Sequence, residues 1–128
     1  MSTNKSNELA LTIIQSIETF EDPGHWMGYK IIMSDSDKNI AFKIENASNC
    51  CEKWGMYTKN NLNEFIGAEY YSVAIGKPKI ADDEMSIIKI KINTNKGNIT
   101  LQLYNQHNGY YPHDVFIQSE KGISNIRL

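Results

Sequence analysis

Two adjacent cysteines, Cys50 and Cys51, followed by Glu52, are the residues of this chain whose types come nearest to chemistry. A thiol nucleophile needs a base within hydrogen-bond reach, and only the fold can bring His107 or His113 there. The same thiols suit zinc poorly. Structural zinc sites use cysteines about two to four residues apart with matching further ligands, and vicinal cysteines with the dispersed His25, His107 and His113 lack that spacing. Neighbours on a strand point to opposite faces, so the competing structural role is one buried thiol acting as a small hydrophobe and one turned outward. Adjacent residues make poor disulfide geometry, and a reducing compartment opposes oxidation, so both thiols are expected to be reduced and at least one mostly buried.

A second candidate fails on inspection. Asp35-Ser36-Asp37-Lys38-Asn39 begins like a calcium loop, but Ile40 stands where the sharp turn needs glycine and Asn46 where a closing glutamate is required. Turn chemistry explains the same residues. The densest polar-aromatic stretch is Tyr104-Asn105-Gln106-His107-Asn108-Gly109-Tyr110-Tyr111-Pro112-His113-Asp114. Tyrosine and histidine join an apolar body to a polar tip, which suits a recognition surface. Alternatively, Asn108-Gly109 is a hairpin tip and the tyrosines pack across strands. His25-Trp26-Met27 and the lone Trp54 are further aromatic candidates, and only clustering in space would make them a pocket.

The elements that must position these residues are strands. Ile88-Lys89-Ile90-Lys91-Ile92 alternates cleanly, with three isoleucines on one face and two lysines on the other, and it pairs with Ile99 to Leu103 across a short glycine-containing loop. Gly28 to Ser34 and Asn39 to Asn46 form a hairpin around Asp35 to Lys38. Asp22-Pro23-Gly24 reverses the chain before it. Cys51 to Thr58, Ala68 to Ile75, Ser86 to Asn93, Asn98 to Gln106, Asp114 to Gln118 and, weakly, Ile123 to Leu128 look extended. Asn61 to Gly67 is the best helix candidate, a single turn ending at glycine. Leu9 to Phe20 is ambiguous: a short irregular or helical start, then a strand from about Thr12.

Bulk composition bounds the rest. A chain of 128 residues with 41% apolar and 22% charged residues is ordinary for one globular domain, large enough to fold without a disulfide or metal. A net charge of −2 with no block of Lys or Arg argues against nonspecific nucleic-acid binding. The only acidic run, Asp82-Asp83-Glu84, reads as a solvated loop rather than a DNA-mimicking surface. Residues Met1 to Glu8 carry no apolar export segment and no uncharged apolar run of spanning length occurs, so neither export nor membrane insertion is indicated.

Taken together, Asn49-Cys50-Cys51-Glu52, the Leu62 to Gly67 turn and Asn108-Gly109-Tyr110-Tyr111 resemble a family of small uncharacterised proteins from phages, other viruses and bacteria. In that family an Asp-Cys-Cys-Glu or similar motif follows a hairpin and an Asn-Gly-Tyr-Tyr motif follows a late strand. The similarity covers about Ile14 to Gln118, and the chain departs from it at Asn49, where aspartate is common. The resemblance implies a compact β-rich fold and an origin on a mobile element. Small proteins of that origin without enzyme motifs often bind and block host defence machinery.

The expected fold is therefore mainly β, α+β at most: a single compact domain over residues 9–128, with a twisted antiparallel sheet or open barrel of six or more strands, one short helix, and a frayed segment 1–8. The expected function is noncatalytic binding of a host protein or a small nucleotide-like ligand in the cytoplasm of the host, through Tyr104, His107, Tyr110, Tyr111, His113 and Trp54, with no metal or cofactor. The alternatives are an enzyme using Cys50 or Cys51 with His107 or His113, and a structural domain with no small-molecule site.

Overall fold

The computed structural model describes residues 11–22, 24–46, 53–80, 85–106 and 113–128. The described chain is built from strands, with no helix longer than one turn. Ten strands form two antiparallel sheets. In the first, β1 (Ile14–Glu21), β2 (Trp26–Met33), β3 (Ile40–Glu45), β9 (Asp114–Ser119) and β10 (Gly122–Arg127) lie in the order β1-β2-β3-β9-β10. In the second, β4 (Lys53–Thr58), β8 (Gly97–Gln106), β7 (Met85–Thr94) and β5 (Tyr70–Ile75) lie in the order β4-β8-β7-β5, and β6 (Lys79–Ile80) also pairs with β7. β5 and β6 are two pieces of one edge. The three residues between Ile75 and Lys79 oppose the two between Ile90 and Ile87, a bulge placed at Gly76-Lys77-Pro78, where proline has no N–H to give a ladder.

Period-two alternation decides which side of each strand is buried. In the second sheet the rows Met56–Leu103–Ile88 and Leu101–Ile90–Ile75 point inward. In the first, Tyr29–Phe42–Ile117 and Met27–Ile44–Val115 face them. Ile40, Phe42, Ile44, Ile88, Ile90, Ile92, Ile99, Leu101 and Leu103 are all fully buried. Each such side chain contributes about 1.5–3 kcal/mol of transfer free energy, an upper figure because the unfolded chain already buries some of it.

Among the described residues the backbones of the two sheets pair along one side. Ile13 bridges Glu69, the Tyr70 amide donates to the Thr12 carbonyl at 2.7 Å, and the Ile14 amide donates to the Ala68 carbonyl at 2.9 Å. On the opposite side β4 and β10 do not pair among the described residues, so no barrel closes. β1 begins at Ile14 after the isolated bridge at Ile13, so the strand expected from about Thr12 is realised, while Leu9 and Ala10 lie outside the described residues. The expected helical turn is a 3-10 turn over Leu62–Phe65, capped by the Asn61 side chain, which accepts from the Asn63 amide at 3.3 Å. The Asp35 to Lys38 turn is a second one, Ser36–Lys38, with Asp35 Oδ1 accepting from the Asp37 amide at 3.0 Å. A tight two-residue turn at Asn95-Lys96 joins β7 to β8; Gly97 takes the positive φ of 111° that follows it, and Thr94 Oγ1 donates to the Gly97 carbonyl at 2.7 Å.

Candidate functional site

Four strand ends meet on the side where β4 and β10 do not pair. β3 ends at Glu45 and β4 begins at Lys53; β8 ends at Gln106 and His113 immediately precedes β9. Lys53 and Gln106 are directly opposed across the β4–β8 ladder. His113 Nδ1 lies 2.7 Å from the Glu45 carbonyl oxygen; a carbonyl only accepts, so Nδ1 carries the proton and donates. The Asp114 amide donates to Glu45 Oε1 at 3.3 Å. The connections leaving these ends, residues 47–52 and 107–112, hold the Cys50-Cys51 pair and the Asn108 to Tyr111 motif and lie outside the described residues. Their starting and finishing points are nevertheless fixed on one corner of the fold.

The corner is lined by groups that strand alternation turns inward. Trp54 is opposite Asn105 in the ladder, and Asn105 continues the inward row Ile99, Leu101, Leu103. Asn105 is fully buried, and its Nδ2 donates to the Leu128 backbone oxygen at 3.1 Å. That oxygen also accepts the His113 amide at 2.8 Å, while the Leu128 amide donates to the His113 carbonyl at 2.9 Å. His113 is 1% exposed, and its ring packs on Trp54 with centroids 4.8 Å apart and planes tilted by 32°. A buried imidazole is tolerated because its backbone and Nδ1 are satisfied. The arrangement can hold two loop bases rigidly and present an aromatic wall between them.

Of the residues selected from sequence, Trp54 and His113 are brought together and Tyr104 is not. Tyr104 points to the outer face of the second sheet, its ring lying over Gly55, where a Cβ would sit 3.0 Å from the phenol oxygen. Adjacent strand residues face opposite ways, and Asn105 takes the inward position, which sends Tyr104 out. Cys50, Cys51, His107, Tyr110 and Tyr111 lie outside the described residues. His25 is exposed in the turn before β2, its carbonyl accepting the Asn46 amide at 2.9 Å at the end of β3, and Trp26, which pairs with Glu45 in the ladder, packs on Lys43, whose Nζ is 4.7 Å from its ring centroid. Sequence reasoning missed Glu45, Asn105 and Leu128 as supports. Asn105 had a readable signal, a polar residue at the inward phase of an otherwise apolar strand.

Among the described residues no three His, Cys, Asp or Glu side chains gather as a metal-binding group. Nor, among them, is any helix long and apolar enough to cross a membrane.

Two five-stranded antiparallel sheets packed face to face, with an aromatic, histidine-anchored corner, define a small β domain whose Cys-Cys and Asn-Gly-Tyr-Tyr motifs fall on its connections. The chain belongs to the family of a domain of unknown function, DUF7448, whose model matches residues 7–117. That match takes in both connections at the corner and ends within β9. No curated protein and no solved structure matches the chain.

Proposed function

We propose that this protein is a noncatalytic binding protein of phage or other mobile-element origin that acts in the host cytoplasm by blocking a host defence protein. The observation that carries the proposal is the shared anchoring of two motif-bearing connections: His113 to Glu45 at 2.7 Å ties one pair of ends, and Lys53 opposite Gln106 ties the other. Recognition residues concentrate on loops held by a rigid scaffold. Here the loops carry Cys50, Cys51, His107, Tyr110 and Tyr111, and the half-buried Trp54 and buried His113 form the wall between their bases. The resemblance to small phage, viral and bacterial proteins supports the mobile-element origin.

The test is affinity capture from host cells with the tagged wild-type protein, followed by binding measurements with Tyr110→Ala and Tyr111→Ala. Anchoring aromatics typically cost about 2 kcal/mol or more on truncation, roughly thirtyfold in affinity. Loss of that size with an unchanged thermal midpoint is the expected result. Unchanged affinity in two folded variants removes the surface from consideration.

One observation favours the enzyme reading: a buried imidazole whose Nδ1–H is fixed by the Glu45 carbonyl is oriented as a general base is oriented. Cys50→Ser and Cys51→Ser separate the two. A binder keeps its partner affinity in both variants, whereas a cysteine enzyme loses its covalent labelling by iodoacetamide at one position and its turnover with it.

A further inference from the structure

The strands of the second sheet differ in charge from those of the first. Strands β4, β5, β6, β7 and β8 contain no Asp or Glu, and their lysines, Lys53, Lys79, Lys89 and Lys91, all fall on the outward phase of the ladders. Directly across from Lys89 stands Gln102, and across from Gln102 stands Tyr57, a continuous row over three strands. Lys91 and Thr100 face each other in the next row. Beyond β4 the chain is pinned to β8: the Thr100 amide donates to Asn60 Oδ1 at 2.8 Å and Asn60 Nδ2 donates to the Asn98 carbonyl at 3.3 Å. The pinning brings Lys59 onto the same face.

Tyr57, Lys59, Asn60, Lys89, Thr100 and Gln102 line a depression of about 360 Å³ there, within the range of about 300–1,000 Å³ usual for small-ligand sites. Tyr57 is 49% exposed, a large aromatic left open to water. Among the described residues neither Lys59, Lys89 nor Lys91 forms an ion pair; the pair recorded there joins Arg127 to Asp114 on the other sheet, Nε to Oδ1 3.2 Å. The segregation extends along the chain. Residues 53–106 hold seven lysines and five acids, and the remainder holds six cations and ten acids. Asp82, Asp83 and Glu84, three of those five, precede Met85, which lies about 13 Å along β7 from Lys89 by strand rise.

We infer that this face binds a single-stranded oligonucleotide, with Lys59, Lys89 and Lys91 on its phosphates and an unpaired base stacked on Tyr57. Lysine is a compact point charge suited to phosphate, and every unpaired base offers a π-face to an exposed aromatic ring. Asn60, Thr100 and Gln102 supply neutral donors and acceptors between the two. An acidic peptide would use the lysines and leave Tyr57 without a role. A duplex would bury its base faces internally and leave Tyr57 no base to stack on. The site lies on the face away from the Trp54–His113 corner and stands independently of the host-protein proposal.

The measurement is fluorescence anisotropy of a labelled twelve-nucleotide oligothymidylate with the full chain at about 50 to 200 mM salt. Saturable binding that weakens with salt is expected. Lys89→Ala and Lys59→Ala should each flatten the slope of log K against log salt by about 0.7. Tyr57→Ala should weaken binding at least about fivefold, one base's worth of stacking, with the salt slope unchanged. These positions are exposed, and thermal midpoints within about two degrees of wild type confirm the folds. Three outcomes overturn the inference: no saturable binding; Tyr57→Ala binding like wild type; or equal affinity for the annealed duplex.

Discussion

The two sheets treat their inward faces alike and their outward faces oppositely. Inward, both present unbroken apolar rows, Tyr29–Phe42–Ile117 against Met56–Leu103–Ile88. Outward, the first sheet satisfies its own charges: Lys43 Nζ lies 4.7 Å from the Trp26 ring centroid and 5.0 Å from that of Phe116. Gly28, paired with Lys43, makes this close approach possible, since a Cβ there would fall 2.1 Å from the Phe42 carbonyl oxygen. Glu18, Glu21, Glu45 and Asp114 lie on the same sheet's strands as Lys30, Lys43 and Arg127. The second sheet has cations, an exposed tyrosine and no carboxylate on any strand. A cation already seated between two rings stabilises the fold, whereas one with no internal partner is available to something outside.

If the inward faces are equivalent, they should fail equally. Phe42 on the first sheet and Leu101 on the second are both fully buried. Phe42→Ala is expected to cost about 3–5 kcal/mol and Leu101→Ala about 2–5 kcal/mol, each removing apolar contacts and leaving a cavity. Urea denaturation measures both. A loss below about 1 kcal/mol from either would show that one sheet is packed far more loosely than the other.

The strands that period two reads cleanly were legible in the sequence, because alternation and burial are the same fact seen from two sides. Ile88, Ile90 and Ile92 face inward with Lys89 and Lys91 outward, and they pair with Ile99, Leu101 and Leu103 as their spacing requires. The Asp35 and Asn61 turns were legible as turns, though a run too short for repeated helical hydrogen bonds settled into 3-10 geometry. The partition into two sheets was not legible: nothing local tells β3 that its second neighbour is β9, more than sixty residues later. The site was half legible for the same reason. Trp54 and His113 could be named as types, but their stacking depends on a nonlocal meeting of β4 with the start of β9. Tyr104 faces the outer side of the second sheet because Asn105 holds the inward position, a phase that composition does not reveal.

The link between the sheets offers a smaller and pH-dependent test. Tyr70 on β5 donates its phenol hydrogen to Glu120 Oε1, in the β9–β10 turn, at 2.5 Å. Burial first, and then the hydrogen bond and negative charge of Glu120, hold that phenol well above its ordinary value. A group that keeps its proton more tightly when folded contributes fully below the unfolded value, near pH 10, and loses that contribution as pH rises further. Tyr70→Phe should cost about 1 kcal/mol at neutral pH, the net worth of one partly exposed hydrogen bond. Above about pH 10 the wild-type thermal midpoint should fall more steeply than that of the variant. Parallel curves would mean that the Tyr70–Glu120 contact does not couple the sheets. Tyr29, raised by burial alone, remains in both proteins and cancels in the comparison.

The smallest effect discriminates most directly between the outward faces. Lys43→Gln removes a cation from between Trp26 and Phe116, where each ring contact is worth about 0.5–1 kcal/mol. Glutamine keeps part of the aliphatic stem, so packing loss is limited and the lost term is mainly the charge on the rings. A fall in thermal midpoint of a few degrees is expected. Lys89→Gln removes a cation that has no ion-pair partner among the described residues and stands beside Lys91 in a sheet whose strands carry no carboxylate. Relief of like-charge repulsion should leave its midpoint unchanged or slightly raised. Measuring both variants at low and at moderate salt sharpens the contrast. Added salt should bring the Lys89→Gln and wild-type midpoints together, since it screens exposed charges, while the Lys43→Gln deficit should persist because that ammonium is half-buried against its rings. Equal responses from the two lysines would erase the distinction between a sheet that uses its cations internally and one that holds them out.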